Sequence, residues 1–327
     1  MQKVNVAVIG AGYWGKKIIA EYAQMAKTDS EIALRSVCDS LEENRKYCQG
    51  NYEIPFLAQH HKQVFSNTDI DAVNVCTPNE THYELCREAL EAGKHVLVEK
   101  PMTLNSNEAY KLVDLARTKN LVLSVGHIFR FNNALQKIRS LVKGGFFGDI
   151  YWLKFQWTIL MPPIPGRDIV TDLAPHPLDI SNFLLDTWPT KITCKAKAYR
   201  RDKLEEMAYI IAEFGKDVCA AFELSWLSPG KAREVYLMGS AKSAKIDCLT
   251  QKIQIFENDR SYDLPVERNN TIEAELEHFI QCIQNNRVGN YSYLNQNNGT
   301  LGAYVIRLLE AAKLSNEQEK TQHVEFQ

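Results

Sequence analysis

A β-branched apolar run, Val4-Asn5-Val6-Ala7-Val8-Ile9, stops at Gly10-Ala11-Gly12-Tyr13-Trp14-Gly15, and Ile18, Ile19, Tyr22, Ala23 and Ala26 then recur at helical spacing. A strand that hands directly to a helix across Gly-x-Gly-x-x-Gly leaves few folds open, because each glycine has a separate task. Gly10 permits the tight strand-to-helix turn, Gly12 lets the backbone approach a diphosphate, and Gly15 lets the helix lie close on the sheet. The diphosphate then meets a helix N-terminus, where amide donors and the helix dipole favour an anion. The next apolar run, 32–38, ends at Asp39. That acid lies further on than the usual roughly 20 residues, because the first helix and the polar 27–31 loop are long. A carboxylate there accepts hydrogen bonds from the adenosine ribose hydroxyls and repels a 2′-phosphate. Ser40 follows it, and the nearest downstream arginine is Arg45. The reading is a dinucleotide site for NAD, with NADP disfavoured.

Behind the turn the pattern keeps alternating. Helices are expected at 41–49, 62–67, 81–92 and from Asn105, which with Glu108 three residues on forms a capping-box pattern. Strand-like runs fall at 53–56, 71–77, 95–100 and 121–125. Strands alternating with helices imply right-handed crossovers and a doubly wound parallel sheet. A Rossmann-type α/β domain is therefore expected over residues 1–125. From 126 to 327 the rhythm changes. One amphipathic helix (Leu135, Ile138, Leu141, Val142) ends at Gly144-Gly145. Strand-like runs then follow at 151–160, 192–200, 208–214, 218–226, 234–239, 244–249 and 252–257, with one helix at 177–185 between them. This predicts an α+β domain on a mostly antiparallel open sheet. Helices at 272–285 and 300–314 close the chain and are free to pack back on the first domain. An antiparallel sheet has an outer face to be covered, which points to a homodimer or homotetramer.

Composition excludes several alternatives. A net charge of −2 over 327 residues gives no electrostatic case for nucleic acid or an anionic membrane. The eight cysteines show no Cys-x-x-Cys and no zinc-type pairing with histidine, so no metal is expected. No apolar run approaches the roughly 18 residues of a membrane span. The expectation is a reduced, soluble, cytoplasmic protein with a small-molecule substrate.

Four patterns taken in order are similar to the Gfo/Idh/MocA family of NAD(P)-dependent oxidoreductases. They are the glycine turn, Cys76-Thr77-Pro78-Asn79 with His82, Glu99-Lys100-Pro101, and Asp172-Leu173-Ala174-Pro175-His176 with Asp179. The similarity runs from end to end and includes Gly126-His127-Ile128-Phe129-Arg130-Phe131. The 126–148 stretch and the Asp-Leu-Ala-Pro-His motif resemble most the members acting on nucleotide-linked sugars, such as UDP-N-acetyl-hexosamine or -hexuronate 3-dehydrogenases. In one place the chain departs: where many members carry a glycine pair before the Asp/His motif, Gly166-Arg167-Asp168-Ile169-Val170-Thr171 stands here.

The resemblance implies Lys100, Asp172 and His176 as the catalytic group. It implies cofactor contacts from Gly10, Gly12, Tyr13, Trp14, Gly15, Asp39, Thr77, Pro78, Asn79, His82, Glu99 and Lys100. Arg130, Arg167 and Asp179 are expected near the substrate, although Asp179 reads equally well as a structural carboxylate and His82 as a helix-start cap. The chemistry agrees with these assignments. Oxidising a carbinol removes a hydride and a proton; histidine supplies a base near neutral pH, and an ammonium stabilises alkoxide charge. Polyol or inositol oxidation, enone or dihydrodiol-type reduction, and a non-catalytic NAD sensor are the competing readings. Trp152, Trp157 and Trp226 read as sheet packing.

Overall fold

In the computed structural model, which describes residues 3–215 and 217–326, the opening run is β1 (Val4–Ile9) and the helix behind the glycines is α1 (Tyr13–Thr28). β2 (Ile32–Cys38), α2 (Glu42–Asn51), β3 (Phe56–Ala58), α3 (His61–Phe65) and β4 (Ala72–Val75) follow. A 3-10 turn at Asn79–Thr81 leads into α4 (His82–Glu91), and β5 (His95–Val98), α5 (Ser106–Thr118) and β6 (Leu123–Val125) complete the alternation. Asn105 caps α5 by accepting from the Glu108 amide at 2.9 Å. The six strands are parallel in the order β3-β2-β1-β4-β5-β6. The order reverses between β1 and β4, and open α/β sheets place ligands at the carboxyl ends of strands at such a point.

After a 3-10 turn at Ile128–Phe131 come α6 (Asn133–Lys143), β7 (Ile150–Ile159), α7 (Ile169–Leu173) and α8 (Pro175–Leu185). Seven strands follow: β8 (Lys191–Lys197), β9 (Met207–Phe214), β10 (Val218–Ser225), β11 (Lys231–Gly239), β12 (Ser243–Asp247), β13 (Lys252–Glu257) and β14 (Arg260–Leu264). The chain ends with α9 (Thr271–Arg287), α10 (Gly299–Gln318) and β15 (Gln322–His323). The second sheet has nine strands in the order β14-β13-β12-β11-β7-β10-β9-β8-β15. Only the β7–β10 pairing is parallel.

Two compact units result: the residues up to Ile128 with Asn270–Ile306, and Phe129–Asn269 with the residues from Arg307 on. The sequence pattern places everything after 125 in the second domain but leaves the closing helices free to pack back on the first. The return of 270–306 has a physical cause in α9, whose Leu276, Phe279, Ile280 and Ile283 are buried in one cluster with Val4, Ile18, Tyr22 and Leu34. In the second unit, inward positions of the sheet such as Leu153, Phe155, Trp157, Phe222, Val235 and Leu237 are fully buried.

Two differences from the sequence pattern have simple reasons. The helix expected from residue 177 starts at Pro175, since proline at the first helical position forgoes only an amide that has no intrahelical partner. β14 carries Arg260, Ser261, Tyr262 and Asp263, all exposed, so no buried alternation marks it as a strand. All eight cysteines are free. Among the described residues no helix is long and apolar enough to cross a membrane.

Candidate active site

In the first unit the glycine turn is shaped for an anion. Gly10 has φ +95°, and a Cβ there would lie 2.6 Å from the Cys76 carbonyl oxygen; a Cβ on Gly15 would lie 2.0 Å from that of Gly10. A Cβ on Gly12, by contrast, would meet nothing within 4 Å, which leaves the open side of the turn for a ligand. No side chain caps α1 and no acid lies in its first turn, whereas α5, α6, α7 and α9 are each capped by Asn or Asp. An uncapped first turn keeps amide donors and the positive end of the helix dipole available to a diphosphate. Tyr13 is 81% exposed, with the Lys17 ammonium 4.5 Å from its ring centre.

Asp39 is half-buried beside this turn. It accepts hydrogen bonds from the Ala11 amide (2.7 Å), the Leu41 amide (2.8 Å) and Asn44 (3.2 Å). Arg45, six residues on, folds back to donate to the Asp39 carbonyl at 2.6 Å and the Ser40 carbonyl at 2.9 Å. An arginine is therefore adjacent in space although none is adjacent in sequence.

The ends of β4 and β5 are laced together by His82, which is fully buried. Its ring nitrogens lie 2.8 Å from the Pro101 carbonyl and 2.9 Å from the Thr77 carbonyl. His82 thus holds the Thr77-Pro78-Asn79 loop against the loop that carries Lys100, and the Lys100–Pro101 peptide is cis. The Thr81 hydroxyl donates to the Thr77 hydroxyl at 2.7 Å. Glu99 reaches the glycine turn directly, accepting from the Trp14 indole at 2.5 Å. A Cβ on Gly126 would lie 2.9 Å from the Glu99 carboxylate, so the carboxyl sits tight against that backbone. Burial pushes Glu99 up to about 7, against the Trp14 hydrogen bond and the Lys100 charge, which pull it down.

In the second unit Asp172 lies in α7, 8% exposed, with the Arg167 guanidinium at 3.1 Å. His176, in the first turn of α8, packs edge-on against Phe129 with ring centres 5.0 Å apart, and at 6.3 Å from Trp157. Arg233 lies 5.6 Å over the other partner ring, Trp157, and donates to the Thr158 and Ala232 carbonyls. Burial brings Arg233 down to about 10, while the Asp172 charge opposes that shift. Asp172 thus has two guanidinium groups in its surroundings. Sequence reasoning missed Arg233 because it began this strand at Glu234. The signal was there: Arg233 shares the inward alternation of Val235 and Leu237, and a cation on the buried face of a strand is unusual.

Arg130 and Asp179 are engaged with one another. Arg130 Nε donates to Asp179 at 2.7 Å and a second guanidinium nitrogen donates to Asn182 at 2.8 Å, with the two charged side chains 6% and 2% exposed.

Comparison with known proteins adds to this geometry. Residues 4–127 match the Gfo/Idh/MocA oxidoreductase family with an NAD-binding Rossmann fold, and residues 135–245 match the GFO/IDH/MocA C-terminal domain. The chain is 27% identical to a UDP-N-acetylglucosamine 3-dehydrogenase of Acidithiobacillus ferrooxidans, over 88% of this chain and 91% of that protein. A solved structure of that enzyme from the same organism superposes with a TM-score of 0.84 at 24% identity, covering 97% of this chain and 99% of the other. A D-glucoside 3-dehydrogenase of Escherichia coli is 34% identical over 56% of this chain and 54% of its own length. An inositol dehydrogenase homologue from Azotobacter vinelandii, solved with NADH and myo-inositol, shares the fold at a TM-score of 0.89 and 20% identity, covering 98% of both chains.

Two outcomes are expected. Asp39→Asn keeps an acceptor for the Ala11 amide but removes the charge that repels a 2′-phosphate, and Arg45 stands beside it. Measured dissociation constants should shift the NAD/NADP ratio toward NADP by about tenfold or more; an unchanged ratio would show that Asp39 does not discriminate. Glu99 concerns stability. With a native value near 7 and an unfolded value near 4.3, the folded state holds the extra proton between them, so stability falls as pH rises through that window. In urea unfolding, Glu99→Gln should therefore be more stable relative to wild type at pH 8 than at pH 5. Parallel profiles would refute the assignment.

Proposed function

Since the chain belongs to the Gfo/Idh/MocA family of NAD-binding oxidoreductases, we propose that it oxidises a hydroxyl of a sugar or nucleotide-activated sugar, or runs the reverse reduction. The observation that carries this reading is the bond from the Trp14 indole to Glu99. It ties the end of β5, and with it Lys100, to the turn that receives the diphosphate. Bound NAD supplies the hydride acceptor, nicotinamide C4. The protein's residues then have to bind the alcohol, accept its proton and stabilise developing alkoxide charge. Lys100 is proposed for the last role, His176 for the proton, and Asp172, held by Arg167, for orienting the substrate. The names of the two curated relatives, both sugar 3-dehydrogenases, support a pyranose hydroxyl as the reacting group.

The second-unit sheet also supports self-association. Trp152, Tyr209 and Phe256 on one of its faces are 36%, 50% and 39% exposed, and half-exposed aromatics on an open sheet face mark interfaces. We infer a homodimer or homotetramer formed through this face. Multi-angle light scattering should return a multiple of the 37.3 kDa chain mass; a monomer at micromolar concentration would refute it.

The reaction is tested by screening UDP-N-acetylglucosamine, free aldoses, glucosides and inositols for NADH formation. On the best substrate, Lys100→Met should bind NAD normally and turn over at least about a hundredfold more slowly, the loss expected for one charge stabiliser. Near-normal turnover by that variant would remove Lys100 from the chemistry. Turnover on inositols alone would replace the sugar reading.

A further inference from the structure

Between β7 and α7 the chain runs through Met161-Pro162-Pro163-Ile164-Pro165-Gly166-Arg167-Asp168. Three of these residues are prolines and carry no amide hydrogen, so the segment cannot be held by a β ladder. Beyond Met161, whose amide donates to the Trp226 carbonyl at 3.1 Å, it is held through its carbonyls. Arg200 donates to the Met161 carbonyl at 3.0 Å, and Arg201 donates to the Ile164 carbonyl and, at 2.9 Å, to that of Arg167. Both guanidinium groups belong to the 198–206 connection and both face one carboxylate, Glu206, which is fully buried. Glu206 accepts from the Arg200 amide (2.6 Å), the Tyr199 amide (3.2 Å) and Arg200 Nε (2.8 Å), and Arg201 Nε lies 3.8 Å away. Arg201 also stacks 5.4 Å over the buried Trp226 ring.

A buried carboxylate is tolerated only when paired and hydrogen-bonded. Here the pairing has a consequence beyond itself. Arg200 Nε is fixed on Glu206 by a hydrogen bond, whereas Arg201 is drawn to the same carboxylate by charge at 3.8 Å and held over Trp226; the other N–H groups of both guanidiniums donate to the segment's carbonyls. The far end of the segment is fixed separately: Asp168 caps α7 through the Thr171 amide at 2.8 Å and pairs with Lys313 at 3.0 Å. Between these anchors stands Arg167, whose guanidinium meets Asp172.

We propose that Glu206 is a positioning residue which, through Arg200 and Arg201, fixes the proline-dense segment so that Arg167 and Asp172 are preorganised for the sugar. The proposal rests on the functional reading above. It makes this segment a rigid affinity determinant rather than a flexible loop. Preorganisation acts on binding, since the ordering cost is met before the substrate arrives. Loosening the clamp should therefore raise KM for the sugar and leave the chemical step largely intact.

The test compares wild type with Glu206→Gln, Arg201→Met and Arg201→Lys, using UDP-N-acetylglucosamine and NAD for kinetics and hydrogen exchange for the 161–170 region. Arg201→Met should raise KM for UDP-N-acetylglucosamine roughly tenfold or more, the effect of losing charged hydrogen bonds, with kcat and the KM for NAD little changed and exchange faster in 161–170 only. Arg201→Lys retains the charge but not the fork, and should fall between. Glu206→Gln should act in the same direction; if it does not fold, Arg201→Met carries the test, because Glu206 then keeps Arg200 and both amides. Unchanged exchange in 161–170, unchanged KM, or a fall in kcat with KM constant would each overturn the proposal. A wild type inactive on UDP-N-acetylglucosamine would instead sink that substrate, and the exchange result would then decide the clamp alone.

Discussion

The first unit depends on a contact that only bare backbone can make. With a Cβ excluded at 2.0 Å from the Gly10 carbonyl, α1 can begin directly on the turn. Gly10 in turn lies against the backbone of Cys76 at the end of β4. Two strand ends and a helix N-terminus are thereby brought within one turn of each other. The positions of Asp39, the Thr77 loop and Glu99 then follow from parallel registers, since β1 pairs with both β2 and β4 and β4 pairs with β5. Any side chain at Gly10 or Gly15 separates these elements, and the uncapped start of α1 and Asp39 separate with them.

A second constraint is met at the opposite edge of the sheet. β6 is an edge strand, and exposed edges invite unwanted pairing. The returning segment covers it. The Val125 amide donates to the Asn297 carbonyl at 2.8 Å, and the Asn297 side chain donates to the Val125 carbonyl at 2.8 Å. The Asn295 side chain binds Ser124, and Ser124 forms an isolated bridge with Asn298. Gly299 and Gly302 then allow α10 to lie on Leu123 and Val125, where a Cβ would come within 2.6 Å and 2.5 Å of those side chains. Asparagine side chains do here what a further strand would otherwise do.

That division explains what was legible in the sequence. The parallel sheet and the strand-to-helix glycine turn could be read because hydrophobic period and glycine spacing are local. The antiparallel second sheet was legible for the same reason wherever one face is buried. β14 was not, because its residues are exposed. The Asn-rich 295–298 stretch reads as loop in any window, and its pairing with β6 is a long-range fact that no local pattern encodes. Arg45 was named, but its return to the Asp39 carbonyl was not foreseen; Arg233 was marked by its inward place on the strand and was missed because the strand was begun at Glu234. Their importance lies in what they meet across space.

Charge is handled differently in the two units. In the second, two fully buried carboxylates are matched: Asp179 with Arg130, and Glu206 with Arg200 and, at 3.8 Å, Arg201. Such pairs hold geometry, and breaking one leaves an uncompensated charge that costs about 3–5 kcal/mol. In the first unit Glu99 is not matched in this way. The Trp14 indole and the Lys100 charge and amide favour its charged form, but burial outweighs them and pushes the carboxyl up to about 7. Burial, and the nearby Glu99 and Glu275 charges, also raise the Cys76 thiol. The unit that binds the cofactor therefore leaves a carboxyl imperfectly compensated, and the other unit spends its ion pairs on shape.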